Sequence, residues 1–142
     1  MQETRYKGAP PCYCLKVRRA SAVITKFYDK ILSSCGITVT QFSLLINIAA
    51  EEQCSVRELA DRTELDRSTL ARSLKPLYQQ GLVVDIKRQG ARNSRLELTQ
   101  TGQETVECAK KLWTLAQEKV RQTLGEEGIS SLEKIFASLE TL

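Results

Sequence analysis

Between Ser55 and Leu98 the hydrophobic period of the chain changes once, and that change limits the folds open to it. In "SVRELADRTELDRSTLARSLKPLYQQG" the apolar residues Val56, Leu59 and Ala60, then Leu70, Leu74 and Leu77, recur three and four apart, as one face of a helix requires. In "LVVDIKRQGARNSRLELT", which follows, β-type residues run from Val83 to Lys87 and from Arg95 to Leu98 around a polar connection rich in arginine. Two short helices with a tight turn, then a hairpin with a basic tip, are expected. Ser55 with Glu58 makes a capping box, the first helix ends near Thr63, Asp66 caps the second, and Gly81 is its expected stop. Pro76 breaks the rule against interior proline, because its ring crowds the carbonyl of Arg72, so a bend or a frayed last turn is expected there.

The flanks read as helix. Pro10 and Pro11 suit a helix start, and Leu15, Ala22, Ile24, Tyr28 and Ile31 recur near helical spacing until Ser33, Ser34 and Gly36. Thr40 is an expected N-cap for a second helix with Phe42, Leu45, Ile46 and Ala49 on one face, closing near Gln53. Thr101 with Glu104 reads as a capping box opening a long helix through Val106, Ala109, Trp113, Ala116 and Val120 to Gly125. A last amphipathic helix carries Ile129, Leu132, Ile135, Phe136 and Leu139. The fold class is therefore mainly α, a winged helix-turn-helix flanked by N- and C-terminal helices, in a single domain over residues 1–142.

Charge narrows the function. Residues 55–95 hold nine basic and five acidic side chains, a balance of +4, whereas residues 96–142 balance at −3. A winged helix with a basic centre suits duplex DNA: the major groove admits one helix, and a hairpin tip reaches the neighbouring minor groove. Away from the leucine stripe, the second helix offers Arg67, Ser68, Thr69, Arg72, Ser73 and Lys75, and the wing adds Lys87, Arg88, Arg92 and Arg95. These supply guanidinium groups for guanine edges or phosphates and short hydroxyls that permit close approach. The rival reading is a winged helix used for protein–protein contact, with an incidental basic wing.

Other classes fall away. The chain has no histidine, which excludes Ser-His-Asp and Cys-His catalysis and histidine-containing metal sites. Glu51/Glu52 and Cys14 have no base, cofactor loop or ligand set beside them, so no enzyme, metal or cofactor is expected. No apolar run approaches the ~18 residues of a membrane span, and the first residues lack the apolar stretch of a signal peptide, which points to the cytoplasm. Five cysteines without paired spacing fit reduced thiols.

The motifs "ELA", "DRSTLAR", "QGLV" and "LTQTG", in this order, resemble the MarR family of dimeric bacterial transcription regulators over about residues 12–141. The resemblance implies a homodimer, with dimerisation helices at 11–34 and 100–142 and a winged lobe at 37–99, usually a repressor on a pseudo-palindromic double-stranded operator. Carried over by position, Asp66 would cap the recognition helix, Ser68, Thr69 and Arg72 would face bases or phosphates, and Arg92 would enter the minor groove. Gly90, followed by Ala91, stands two residues before Arg92, where the family commonly has an Asp that helps fix the wing by pairing with nearby arginines, so that support for the wing is absent.

The resemblance also implies release by a small aromatic effector or by thiol oxidation. An effector pocket would gather Tyr13, Phe27, Phe42 and Trp113 with Tyr28; simple core aromatics are the competing reading. Counting back from "GIT" at 36–38, Cys14 falls at the reactive cysteine of the family's organic-hydroperoxide sensors and Tyr28 at one of their tyrosines, whereas Val39 and Arg18 stand at the other two. Arg18 lies one turn after Cys14, and a nearby cation favours thiolate. Cys12 is the natural resolving partner, though two residues apart on a regular helix point about 200° away from each other. The residues leave both readings of Cys14 open, a sensor or a packed small residue, and Cys35, Cys54 and Cys108 read as packing residues.

Overall fold

The computed structural model describes residues 10–51 and 54–142. Five helices and one hairpin follow in the order α1 (Tyr13–Leu32), a 3₁₀ turn (Ser33–Cys35), α2 (Val39–Ala50), α3 (Val56–Thr63), α4 (Arg67–Gln79), β1 (Val83–Asp85), β2 (Leu96–Leu98) and α5 (Gln100–Leu139). The class is as expected, mainly helical with a two-stranded antiparallel wing. Register pairs Val83 with Leu98, Val84 with Glu97 and Asp85 with Leu96, and the Leu96 N–H donates to the Cys54 carbonyl at 2.8 Å. The segment before α3 thus adds one bridge to the outer edge of the wing.

The core lies where α2, α3, α4 and the base of the wing meet the first half of α5. Leu32, Leu45, Leu59, Leu70, Leu77 and Leu96 have no exposed surface, and Phe42, Ile48, Leu82, Val83 and Val106 close around them. Each inward stripe expected for α3 and α4 takes part: Leu59 is buried with Val56 and Ala60 at its edge, and Leu70, Leu74 and Leu77 are all buried. Burying a leucine is worth roughly 1.5–3 kcal/mol, so these stripes set the packing of the lobe.

Several helix starts differ from expectation by two residues. Thr38, not Thr40, caps α2: its hydroxyl accepts from Gln41 N–H while the Gln41 side chain accepts from Thr38 N–H. Asp29 of α1 also takes the Val39 N–H at 2.8 Å and so adds a contact from another helix to this start. Thr99, not Thr101 with Glu104, caps α5, accepting from Gly102 N–H at 3.0 Å and donating to the Gly81 carbonyl at 2.5 Å. Cys12 is the N-cap of α1, so Pro10 and Pro11 precede the helix instead of opening it. α2 ends at Ala50, whereas Gln53, where it was expected to close, lies outside the described residues, as does Glu52. Each strand is three residues long, shorter than expected, so Lys87 and Arg95 belong to the tip.

Other boundaries are as read. The Ser55–Glu58 capping box is complete, Asp66 caps α4, and Gly81 follows α4 with φ 68°. α4 continues past Pro76 to Gln79, the turn closing through the Pro76 carbonyl, which accepts from Gln80 N–H at 2.9 Å. α5 breaks at Gly125, whose φ of 70° and ψ of 172° are open to glycine but strained for other residues, and the final amphipathic segment follows.

Candidate nucleic-acid interface

α3 and α4 are joined through Glu64, whose φ of 54° lets the chain reverse direction within a short turn. Arg62 fixes α3 on α2 by an ion pair with Glu51 and a hydrogen bond to the Asn47 carbonyl at 3.2 Å. With its leucines buried, α4 presents Arg67, Ser68, Arg72 and Lys75 to solvent, and Thr69 and Ser73 at its edge.

The start of α4 is held by one carboxylate. Asp66 accepts from the Ser68 hydroxyl at 2.6 Å, the Thr69 N–H at 2.9 Å and the Thr69 hydroxyl at 2.7 Å. These bonds, the Ser68 hydroxyl foremost, hold the Asp66 carboxyl well below the usual carboxylate range. Arg72 Nη2 reaches the Thr69 hydroxyl at 3.5 Å, which links the guanidinium to the cap. Ser68 and Thr69 are thus exposed or edge groups as expected, but their hydroxyl protons are committed to Asp66, and donation to a phosphate would compete with the cap.

The wing is ordered by residues that sequence reasoning passed over. Asp85 Oδ1 accepts from Lys87 N–H at 3.0 Å and Arg95 N–H at 2.9 Å, and the Ile86 N–H donates to the Arg95 carbonyl at 2.8 Å. The tip turns at Gly90, φ 85°, with the Ala91 N–H on the Arg88 carbonyl at 2.9 Å. Ser94 Oγ accepts from Val56 N–H at 2.8 Å and pins the returning limb to the start of α3. An acidic residue does organise the wing, but from its base and through backbone groups. An aspartate followed by a polar turn was the available signal.

Among the described residues, Arg67, Arg72, Lys75, Lys87, Arg88 and Arg92 form no ion pair, and all six are exposed. Exposed cations left without carboxylate partners are what a polyanion requires. A family model described as "MarR family" matches residues 36–92, from the residue that follows the 3₁₀ turn to the wing arginine. The HTH-type transcriptional regulator SarZ of Staphylococcus epidermidis is 30% identical over 103 residues, 72% of this chain and 68% of that protein. The transcriptional regulator MosR of M. tuberculosis, solved in complex with DNA, is 32% identical with a TM-score of 0.78, covering 92% of this chain and 98% of that one. The chain belongs to the MarR family.

The likeness in fold extends further: the S. aureus MepR–DNA complex superposes with a TM-score of 0.79 at 20% identity, covering 94% of this chain and all of that one. Members matched here are transcription regulators and not enzymes. Among the described residues no single helix is long and apolar enough to cross a membrane, and no cluster of three or more ligand side chains suited to a metal occurs.

Of the effector candidates in this MarR chain, Phe42 is buried with its ring centroid 6.2 Å from that of half-exposed Trp113, and Phe27 meets Tyr28 edge-on at 5.7 Å. Tyr13 stands apart, 76% exposed at the start of α1, about 21 Å along the helix from Phe27. A cleft of about 520 Å³ opens instead between α2, β2 and α5, lined by Ile48, Leu98 and Val106 with Glu51, Glu97 and Lys110 at its polar side. Cys12 and Cys14 are both exposed at the first turn of α1. Tyr28 is buried, its hydroxyl donating to Gln117 of α5, and lies about 21 Å along α1 from Cys14, so the two do not meet within this chain.

Proposed function

We propose that the protein is a homodimeric regulator that binds a pseudo-palindromic double-stranded operator, with α4 in the major groove and the wing at the minor groove, and represses transcription there. The observation that carries this reading is the set of six exposed, unpaired cations on α4 and the wing. Arg72, steered by Thr69, is the leading base or phosphate contact, Arg67, Lys75, Lys87 and Arg88 serve phosphates, and Arg92 serves the minor groove. The dimer reading rests on apolar side chains left uncovered at both chain ends: Tyr13, Val17 and Val23 on α1, and Leu115, Ile135 and Phe136 on α5. Segments 11–34 and 100–142 act as the dimerisation helices and 37–99 as the DNA-binding lobe. Release follows from oxidation of the exposed Cys14 thiol by an organic hydroperoxide, with Cys12 as its helper, or from a small aromatic effector seated near Phe42 and Trp113.

The test is fluorescence anisotropy on duplex DNA flanking the protein's own gene, titrated with salt. Affinity should fall steeply between roughly 50 and 200 mM salt, as counterion release requires. Lys75→Ala should reduce the slope of log K against log salt by about 1 per half-site, and Arg72→Ala should weaken binding at all salt concentrations. No retention at low salt, or unchanged binding by both Arg72→Ala and Arg92→Ala, overturns the reading in favour of a protein–protein module.

A further inference from the structure

Cys35 and Cys108 are 73 positions apart in the chain and come together where the 3₁₀ turn between α1 and α2 packs on the first half of α5. The Cys108 and Ser34 side chains are neighbours of the Cys35 sulfur. Cys35 is half-buried and packed against the core cluster that includes Ala109, the neighbour of Cys108, so backbone packing on both sides holds the pair together. Cys108 itself is exposed. We propose that Cys35 and Cys108 form an oxidisable dithiol that closes to an intrachain disulfide, tying the entry of the DNA-binding lobe to the long helix independently of Cys14.

The two sulfurs differ in the way such a reaction needs. Burial first, and then the Cys108 side chain beside it, push the Cys35 thiol up to about 11, so Cys35 is a poor first nucleophile near neutrality. Cys108, open to solvent, is the attacking group. With a hydroperoxide as oxidant, the Cys108 sulfur takes the outer peroxide oxygen; an S–O bond forms, the O–O bond breaks, and an alcohol leaves, giving a sulfenic acid. The Cys35 sulfur then attacks the Cys108 sulfur; the S–S bond forms, the S–O bond breaks, and water departs with the Cys35 proton. Two thiols and one hydroperoxide yield one disulfide, one alcohol and one water.

The experiment treats the full chain with cumene hydroperoxide, blocks remaining thiols with iodoacetamide, and maps tryptic peptides without reduction. Cleavage after Lys30, Arg57, Arg95 and Lys110 places Cys35 on the fragment 31–57, with Cys54, and Cys108 on 96–110. The expected product joins these two fragments, with fragmentation locating the bridge at Cys35 and not at the buried Cys54, while the protein runs as a single chain on a non-reducing gel. Cys14→Ser should retain the bridge, and Cys108→Ser should lose it, with Cys35 recovered alkylated. Two results overturn the proposal: Cys35 and Cys108 both alkylated after peroxide has consumed Cys12 and Cys14, or Cys108 found joined only to another chain.

Discussion

Gly102, in the "LTQTG" motif, offers a sharp test of how the long helix is attached to the lobe. It lies in the first turn of α5, three residues after the Thr99 cap, and is buried against the chain that leaves α4. A Cβ at Gly102 would sit 2.1 Å from the Leu82 carbonyl oxygen and 3.0 Å from its carbon, closer than real side chains come to backbone. Nothing soft yields there, because the same carbonyl accepts the Thr99 N–H at 3.1 Å and the Leu82 side chain is buried. In Gly102→Ala two effects oppose each other. Removing a glycine from a helix gains up to about 1 kcal/mol, less in a first turn, whereas forcing an added methyl into close packing costs about 1–3 kcal/mol and sometimes more. The clash should win, since moving Leu82 or Gly102 by the needed ångström also strains the Thr99–Gly102 cap. Thermal melts followed by circular dichroism should show a loss of about 1–3 kcal/mol, or roughly 2–9 °C in a chain of this size. A control at exposed Gln103→Ala should stay within about 0.5 kcal/mol of wild type. A Gly102→Ala protein as stable as wild type, or more so, refutes the close approach and leaves helix propensity as the governing effect.

Tyr28→Phe removes the hydroxyl that Gln117 accepts, leaving that half-buried amide oxygen without its donor; urea denaturation should show a loss of about 1 kcal/mol. Ser94→Ala frees the Val56 N–H and the returning limb of the wing, and should speed amide exchange at residues 86–95 while leaving the melting temperature within a few degrees of wild type. Asp66 has a folded-state pKa below its unfolded value, so its contribution to stability is complete above about 3.9 and is lost only as pH falls through the lower folded value. The stability difference between wild type and Asp66→Asn, measured by denaturation, should therefore stay constant from pH 7 to about pH 5 and shrink below about pH 4. A difference that changes between pH 7 and 5 would mean that another group carries the titration.

What could be read from sequence, and what could not, divides by the range of the interaction. Ser55 with Glu58, Asp66 with Thr69, and the leucine stripe of α4 were legible because each partner lies within one turn of the other. The caps of α2 and α5 fell two residues from expectation: the Thr38–Gln41 box is local but was passed over for Thr40, whereas the local Thr101–Glu104 pattern gave way to Thr99. A distant group adds to each observed cap: Asp29 holds the Val39 N–H, and the Gly81 carbonyl takes the Thr99 hydroxyl. The wing follows the same logic. Its basic residues were evident from composition, but its order depends on Asp85 closing a ten-residue span to Arg95 and on Ser94 reaching 38 residues back to Val56. Local pattern therefore identified the basic surface proposed to meet DNA, while non-local bonds order the wing that carries part of it. The thiols divide likewise: Cys12 and Cys14 attracted attention as neighbours in the chain, yet Cys35 and Cys108 become neighbours only through the packing of α5 on the 3₁₀ turn.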